Sequence, residues 1–334
     1  MGVLAFRKKY RISLQIKDYI LRSVVTREDS SSSLVNYYEK VIPEGLVEKG
    51  SIIDKENFEL FLSGCAAEWK ITHKPLYFFV PDSSFFFGAA KIAKDLKDQD
   101  IRKYIQSEAG ATIHVPFDGA VFDYHLLENK GRKEDEDYNL KNILLFAAPE
   151  QAVNSYAALF KKAKMTPVAA DIAPLSIHRL YMQKEEHAPG EELIQLEWDM
   201  NSINIGIFKD NKPVFLRNHS QPFSREDWEA TAEENLVQWV CKQDEKVERD
   251  ILKALKEVRQ VIDYWRRAEK KGGNKKTELF LTGDHPKLWF IQKSLEDSLK
   301  MDVQTEKSID LLSKVNMDLP GQFILPVSLC LKEV

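Results

Sequence analysis

A chain of 334 residues and 38.6 kDa has room for two domains, each with its own core. Hydrophobic residues make up 43% and charged residues 30%, ordinary values for a globular protein, and a formal net charge of -4 leaves no basic footprint for nucleic acid as a main partner. Three widely spaced cysteines (Cys65, Cys241 and Cys330) form no CxxC or Cys/His cluster, which excludes a disulfide framework or zinc site and suits buried thiols in a reducing compartment. The opening MGVLAFRKKYRISL has no long apolar core and no small-residue cleavage site, so it does not read as a signal peptide. No run approaches the length of a membrane span, and Phe6 stands where a myristoylation signal would place Ser or Thr. A cytoplasmic location is the expectation.

In chain order, residues 11–25 (RISLQIKDYILRSVV) read as two strands with a turn near residues 17–19, and the serine run at 30–33 as a loop. A strand is predicted over 37–43. Asp54 precedes Phe58, Leu60, Phe61 and Leu62 at helical spacing and is a predicted N-cap. Residues 74–80 (KPLYFFV) have the content of a buried strand. The stretch 90–109 is charged and helix-compatible, and 111–127 reads as strand, Pro-Phe corner, strand. The aromatic run at 83–88 (SSFFFG) reads as a buried strand or corner, with an exposed peptide-receiving patch as the sharper alternative. The charge run 128–138 reads as a solvated hairpin tip. A buried strand at 142–148, a helix at 151–164, a strand at 167–171 and a helix at 174–183 follow, and 185–192 (EEHAPGEE) is the clearest linker.

Beyond the linker the strand pattern restarts at 193–207 and 213–217 across the turn KDNK. Ser224 and Asp227 stand at capping-box spacing ahead of a long helical region. There Ile251, Leu255, Val258, Ile262 and Trp265 share one face. The run KKGGNKK at 270–276 ends that helix, and its cations, with Arg266 and Arg267, read as a solvated helix end rather than a lipid contact. A strand at 278–283, a helix at 288–299, a strand at 302–305 and an apolar stretch at 323–331 complete the chain. Each half opens with a strand–turn–strand, which implies an internal duplication. The seven histidines show no pair at metal spacing, and no GxSxG elbow occurs.

This order of segments resembles the PilM-like branch of the actin/FtsA-like proteins, the cytoplasmic component of type IV pilus assembly. That family opens with an Asp-x-Gly-Ser-Ser hairpin, in whose place stand Gln15, Ile16, Lys17, Asp18 and Tyr19. Its Ile-x-x-Pro-Phe corner is matched by Ile113, Val115, Pro116 and Phe117, and its second Asp-x-Gly hairpin falls on Glu197, Trp198 and Asp199. Its late Leu-Thr-Gly-Gly turn falls on Leu281, Thr282, Gly283 and Asp284. The resemblance implies an α/β, actin-like (duplicated, ribonuclease H-like), two-lobed fold with an inserted small subdomain in the first lobe. The first lobe would comprise 1–80 and 142–190, the insert 81–141, and the second lobe 191–334 with a helical subdomain around 224–276.

An actin-like nucleotide site needs glycine turns that bring backbone amides to the phosphates and a carboxylate for the magnesium ion. Here Gln15 is neutral, Lys17 and Asp199 replace glycines, Glu197 keeps a carboxylate, and Asp284 replaces the second glycine after Gly283; Asp18 is a further acidic turn residue. Carboxylates near a triphosphate repel it strongly in a partly buried cleft. No cofactor is therefore expected, with ATP and magnesium only if this degenerate cleft is still competent. The structural expectation is that Gln15, Lys17, Glu197 and Asp199 are ordinary strand and turn residues of the two hairpins, or that an ion pair of Lys17 with Asp199 closes an empty cleft. The resemblance implies a non-catalytic scaffold of a pilus or competence pseudopilus machine. It would capture the cytoplasmic N-terminal tail of a PilN-like membrane protein, and through it meet other assembly components and the inner face of the membrane. The tail would lie in a channel between the first lobe and the insert, at Phe85, Phe87, Val115, Pro116, Phe117, Phe122 and Tyr124. The rival reading is a working ATPase or phosphotransferase of the same fold; a plain filament protein is a third.

Overall fold

The computed structural model describes residues 10–27, 33–127, 140–184, 191–269, 276–314 and 319–333. The charge run 128–138, the serine run 30–33 (save Ser33), most of the linker and most of the KKGGNKK run lie outside the described residues. The chain divides into two compact units, one running to Ser83 and resuming at Phe160, the other Ser84–Leu159.

The large unit begins with a meander of β1 (Tyr10–Ile16), β2 (Ile20–Arg27) and β3 (Leu34–Val41). A two-strand ribbon of β4 (Val47–Glu48) and β5 (Ser51–Ile52) follows, then helix α1 (Lys55–Glu68). Asp54 caps α1 as expected, its carboxylate accepting the Asn57 amide at 3.1 Å. Strand β6 (Pro75–Phe79) then lies parallel to β1.

The small unit holds β7 (Phe86–Ala93), α2 (Asp98–Glu108), β8 (Ala120–Leu126) and β9 (Leu140–Pro149), with α3 (Glu150–Lys162) leading out of it. Its sheet has the order β7-β9-β8, antiparallel throughout. Ile92, Ile101, Ile105, Ile143 and Leu145 form its core.

Back in the large unit come β10 (Thr166–Asp171), α4 (Ala173–Tyr181), and a second meander of β11 (Glu192–Trp198), β12 (Ser202–Lys209) and β13 (Lys212–Ser220). A hairpin of β14 (Trp228–Glu233) and β15 (Leu236–Cys241) precedes the long helix α5 (Asp244–Glu269). The chain ends with β16 (Thr277–Thr282), α6 (Leu288–Leu299), β17 (Val303–Thr305), α7 (Leu311–Lys314) and α8 (Ile324–Cys330).

The two large sheets have one topology. The first runs β10-β6-β1-β2-β3 and the second β13-β12-β11-β16-β17: an antiparallel meander joined through its first strand to two parallel strands. Both opening hairpins close alike, the Lys17 amide donating to the Ile20 carbonyl and the Asp199 amide to that of Ser202, each at 2.9 Å. Strands β11 and β12 are buried over nearly their whole length, so the polar residues among them, Gln195, Glu197 and Asn204, are buried as well. Helices α4 and α8 pack together, α4 against β11 and β12 and α8 against β1, β2 and β6, and so fill the space between the sheets.

Three expectations are corrected. The helix-compatible stretch 90–109 begins as a strand. Phe86, Ala90 and Ile92 reach the small core at the two-residue spacing of β7, and only α2 is helical. The segment before the Pro-Phe corner is no strand beyond a single bridge between Ala109 and Ile113. The capping-box pattern at Ser224 makes no side-chain cap; a one-turn 3-10 helix leads into β14, where Trp228 and, across in β15, Val237 are buried by strand pairing. The compact unit that holds the small sheet runs from Ser84 to Leu159, with β9 as its central strand.

Replacing the fully buried Ile105 of α2 by Ala should cost about 2–5 kcal/mol, the range for deleting a buried aliphatic side chain. Hydrogen exchange should report it as lost amide protection in β7, β8, β9 and α2.

Candidate functional site

The turns of the two duplicate hairpins meet, and what joins them is charge. Lys17 leaves the first turn, and its Nζ lies 2.6 Å from Asp199 Oδ2 in the second turn, as the sequence led us to expect. The same ammonium is 3.2 Å from Glu197 Oε1 and 2.6 Å from Asp82 Oδ2. Lys17 is 7% exposed, and Glu197 and Asp199 are each 1% exposed. Burial works against the Lys17 ammonium, but Asp199, Asp82 and Glu197 together outweigh it and hold its pKa well above the ordinary lysine value. The acids are the strained partners: burial raises both Asp199 and Glu197 above the usual carboxylate range despite Lys17. Glu197 Oε2 also accepts from Asn204 Nδ2 at 2.7 Å, and Asn204 in turn accepts from Asn218 at 2.8 Å.

A second cation works beside the first. Arg22, in the middle of the apolar β2, donates from Nη1 to Asp284 Oδ2 at 2.6 Å and from Nε to Glu39 Oε2 at 2.7 Å. Tyr19 donates to Asp284 Oδ1 at 2.5 Å and accepts the Met200 amide at 3.3 Å. Burial opposes ionisation of Asp284, yet Arg22 and Tyr19 prevail and keep its carboxyl below the ordinary value. The Asp284 amide donates to Asp199 Oδ1 at 3.1 Å, so the two ion clusters are one network. Gly283 makes the approach possible. Its φ is +131°, and a Cβ there would lie 2.1 Å from the Trp198 carbonyl oxygen.

Of the expected cleft residues, Lys17, Glu197, Asp199 and Asp284 join this network. Gln15 does not: it is buried, its Oε1 has no hydrogen-bond partner among the described residues, and it lines a cavity of about 10 Å³ with Glu197, Asp199, Thr282 and Asp284. Asp18 turns away to accept the Lys49 and Gly50 amides at 2.7 and 2.9 Å, fastening the β4–β5 ribbon. Asp82, Arg22 and Glu39 were not singled out from sequence, and Tyr19 was named only as the last residue of the first hairpin pattern. Arg22 had a signal, a lone charge inside the apolar run YILRSVV. Asp82, just beyond β6, had none that separates it from a loop residue.

An open cleft of about 700 Å³ lies beside the network, lined among others by Lys17, Asp18, Lys49, Asn201, Ser220 and Arg225. A nucleotide needs free amides and positive potential at its phosphates. Here the amides of Lys17 and Asp199 already close their own turns. Asp82, Glu197, Asp199 and Asp284 supply four carboxylates, and the Lys17 ammonium stands among the first three. This set of groups does not fit a phosphate chain.

The seven residues singled out in the small unit are not one cluster. Phe117, Phe122 and Tyr124 lie half-buried at β8 and the corner before it, packed on the core helix α2 side, with Val115 buried beneath and Pro116 exposed. Phe85 and Phe87 lie half-buried at the head of β7, on the other side of β9. Phe87 stacks near Phe146, with ring centroids 5.4 Å apart, and it is Phe86 that faces the core.

The duplicated sheets, the paired hairpins with the cleft between them, and the unit inserted after the fourth strand of the first sheet define an actin-like fold. The chain belongs to the type IV pilus assembly protein PilM family, whose sequence model matches residues 19–224. Among solved structures it is similar to a PilM-PilN type IV pilus biogenesis complex, with a TM-score of 0.73 at 17% identity over 96% of this chain and 97% of that one. It is also similar to the ethanolamine utilization protein EutJ from Carboxydothermus hydrogenoformans, with a TM-score of 0.52 at 10% identity over 96% of this chain and 89% of that one. No curated protein matches the chain by sequence. No helix among the described residues is long and apolar enough to cross a membrane.

Removing one partner of a buried ion cluster leaves the others uncompensated. Lys17→Met should therefore lower unfolding free energy in urea by about 3–5 kcal/mol at pH 7. The carboxylates left behind are raised above their unfolded values, so the folded state takes up protons as pH falls and the deficit should shrink between pH 7 and pH 5. An unchanged denaturation midpoint would remove the ion cluster from the account of this cleft.

Proposed function

We propose that this chain is a non-catalytic scaffold of a type IV pilus or competence pseudopilus machine. In this role it captures the cytoplasmic N-terminal tail of a PilN-like membrane protein, which holds it at the inner face of the membrane. Membership of the PilM family supports the setting. A relative's structure is named as a complex with PilN, which supports the partner.

The observation that carries the binding mode is the open small sheet. Among the described residues neither β7 nor β8 has a second strand neighbour, and both edges carry half-buried aromatic side chains. A free edge offers unpaired backbone groups to an extended peptide, and adjacent rings offer pockets for alternate side chains. The tail pairs with β8, where Phe117, Phe122 and Tyr124 give an apolar wall over Val115 and Pro116 stiffens the corner. Phe85 and Phe87 mark the rival edge at β7.

The test uses a labelled peptide copying the N-terminal tail of a PilN-like protein and fluorescence anisotropy. Saturable binding is expected, weakened at least about tenfold by Phe117→Ala, a loss matching about 1.4 kcal/mol or more. Loss with Phe87→Ala instead would move the tail to β7. No binding, or binding indifferent to both substitutions, would overturn the proposal.

The cleft takes no part in catalysis, because its cation position is filled from within and its carboxylates repel phosphate. Calorimetric titration with ATP and magnesium should give no saturable heat. A one-to-one isotherm would make the protein a nucleotide-binding member of its fold.

A further inference from the structure

The residues around Lys17 have the form of a metal site. One oxygen each from Asp82, Glu197 and Asp199 can be chosen so that all lie within 4.8 Å of one another. Hard divalent cations take such all-oxygen sets, at about 2.0–2.1 Å for magnesium and about 2.3–2.6 Å for calcium. Here the three carboxylates converge on an ammonium at 2.6, 2.6 and 3.2 Å. The Lys17 nitrogen stands where the ion would, and closing the set on magnesium needs the Asp82 and Asp199 oxygens to approach by about half an ångström and the Glu197 oxygen by about one ångström.

A second observation concerns the same two acids, Glu197 and Asp199. Gln15, 2% exposed, and Thr282, 1% exposed, leave Oε1 and Oγ1 without a hydrogen-bond partner among the described residues. Both line the cavity of about 10 Å³ that Glu197, Asp199 and Asp284 also line. Such a volume holds about one water molecule, and unpaired buried oxygens beside it call for a polar occupant. This cavity shares Glu197 and Asp199 with the cluster around Lys17.

The geometry points to Lys17 as a tethered counter-cation that fills a divalent-cation site built from Asp82, Glu197 and Asp199. Vacating that one side chain turns the cleft into a binding site for magnesium, manganese or calcium. The ammonium has two effects. It offsets part of the charge of the acids, and it reaches from the first hairpin to Glu197 and Asp199 of the second. The cross-link between the lobes therefore belongs to the chain and needs no ligand. No concentration of metal or nucleotide can then set how firmly the hairpins are joined. This inference rests on the reading of the cleft as free of nucleotide, and its test addresses Lys17 alone.

Manganese is the probe, followed by the loss of its free-ion paramagnetic resonance signal and by thermal unfolding. The unaltered protein should bind no manganese in this cleft and show no shift in melting temperature. Lys17→Ala and Lys17→Ser should each bind one ion per chain, unfold at lower temperature than the unaltered protein, and regain part of the loss when manganese is added. Magnesium in excess should compete. Adding Asp199→Asn to Lys17→Ala should abolish both the binding and the recovery. If a vacated variant does not fold alone, refolding from urea with and without manganese reads the same site, and folding only with the ion supports it. The inference is overturned if neither variant binds or refolds with manganese. It is equally overturned if the unaltered protein binds one ion that Asp199→Asn removes, because the ammonium would then exclude nothing. ATP binding by the unaltered protein would instead sink the nucleotide-free reading, an outcome the manganese arms do not share.

Discussion

One lysine ammonium set among two buried carboxylates and one partly buried one is the constraint on which the centre of this molecule depends. Isolated buried charges cost far more than a domain can spare, so each must be matched where it sits. Matching them forces the turn of the first hairpin against the turn of the second. Arg22 repeats the arrangement one step along β2, gripping Asp284 after β16 and Glu39 in β3. The bonds of Lys17 to Glu197 and Asp199 and of Arg22 to Asp284 run between the duplicate halves, so Lys17, Asp199 and Asp284, which stand where the fold's pattern has glycine, hold the halves together. Gly283 is the exception that proves necessary: only a residue without a Cβ lets the late turn pass the Trp198 carbonyl and present Asp284.

The duplication also explains where the molecule can vary. In both halves an antiparallel meander is joined to two parallel strands, and the parallel connections must cross over with a substantial segment. Between β16 and β17 that segment is little more than α6. Between β6 and β10 it is the whole small unit, with its own core around Ile101, Ile105 and Ile143. A unit with its own core can carry open strand edges without endangering the two large sheets.

Much of this was legible in the chain. The two hairpins, the N-cap at Asp54, the α6 boundaries and the approach of Lys17 to Asp199 follow from turn chemistry, helical spacing and the need to pair a charge near a charge. The failures have a common cause. Residues 90–93 are composed for a helix but pair with β9, and Ser224 sits ahead of a strand because residues 228–233 pair with β15. In both places long-range pairing overrides local propensity. Asp82 shows the same limit at the site: a loop acid acquires a role only because β6 ends beside the two turns.

By itself the sequence determined the duplicated strand–turn–strand plan and the loss of glycine at both cleft turns. These are local matters of periodicity and of which side chains a tight turn can carry. It did not determine that Asp82 would join Glu197 and Asp199 around one ammonium, that Arg22 would find Asp284 and Glu39, or that β9 would take the centre of the small sheet. Those depend on which groups the folded chain brings within about 3 Å across separations of tens to hundreds of residues, and at that range electrostatics and strand pairing act only once the tertiary structure is formed.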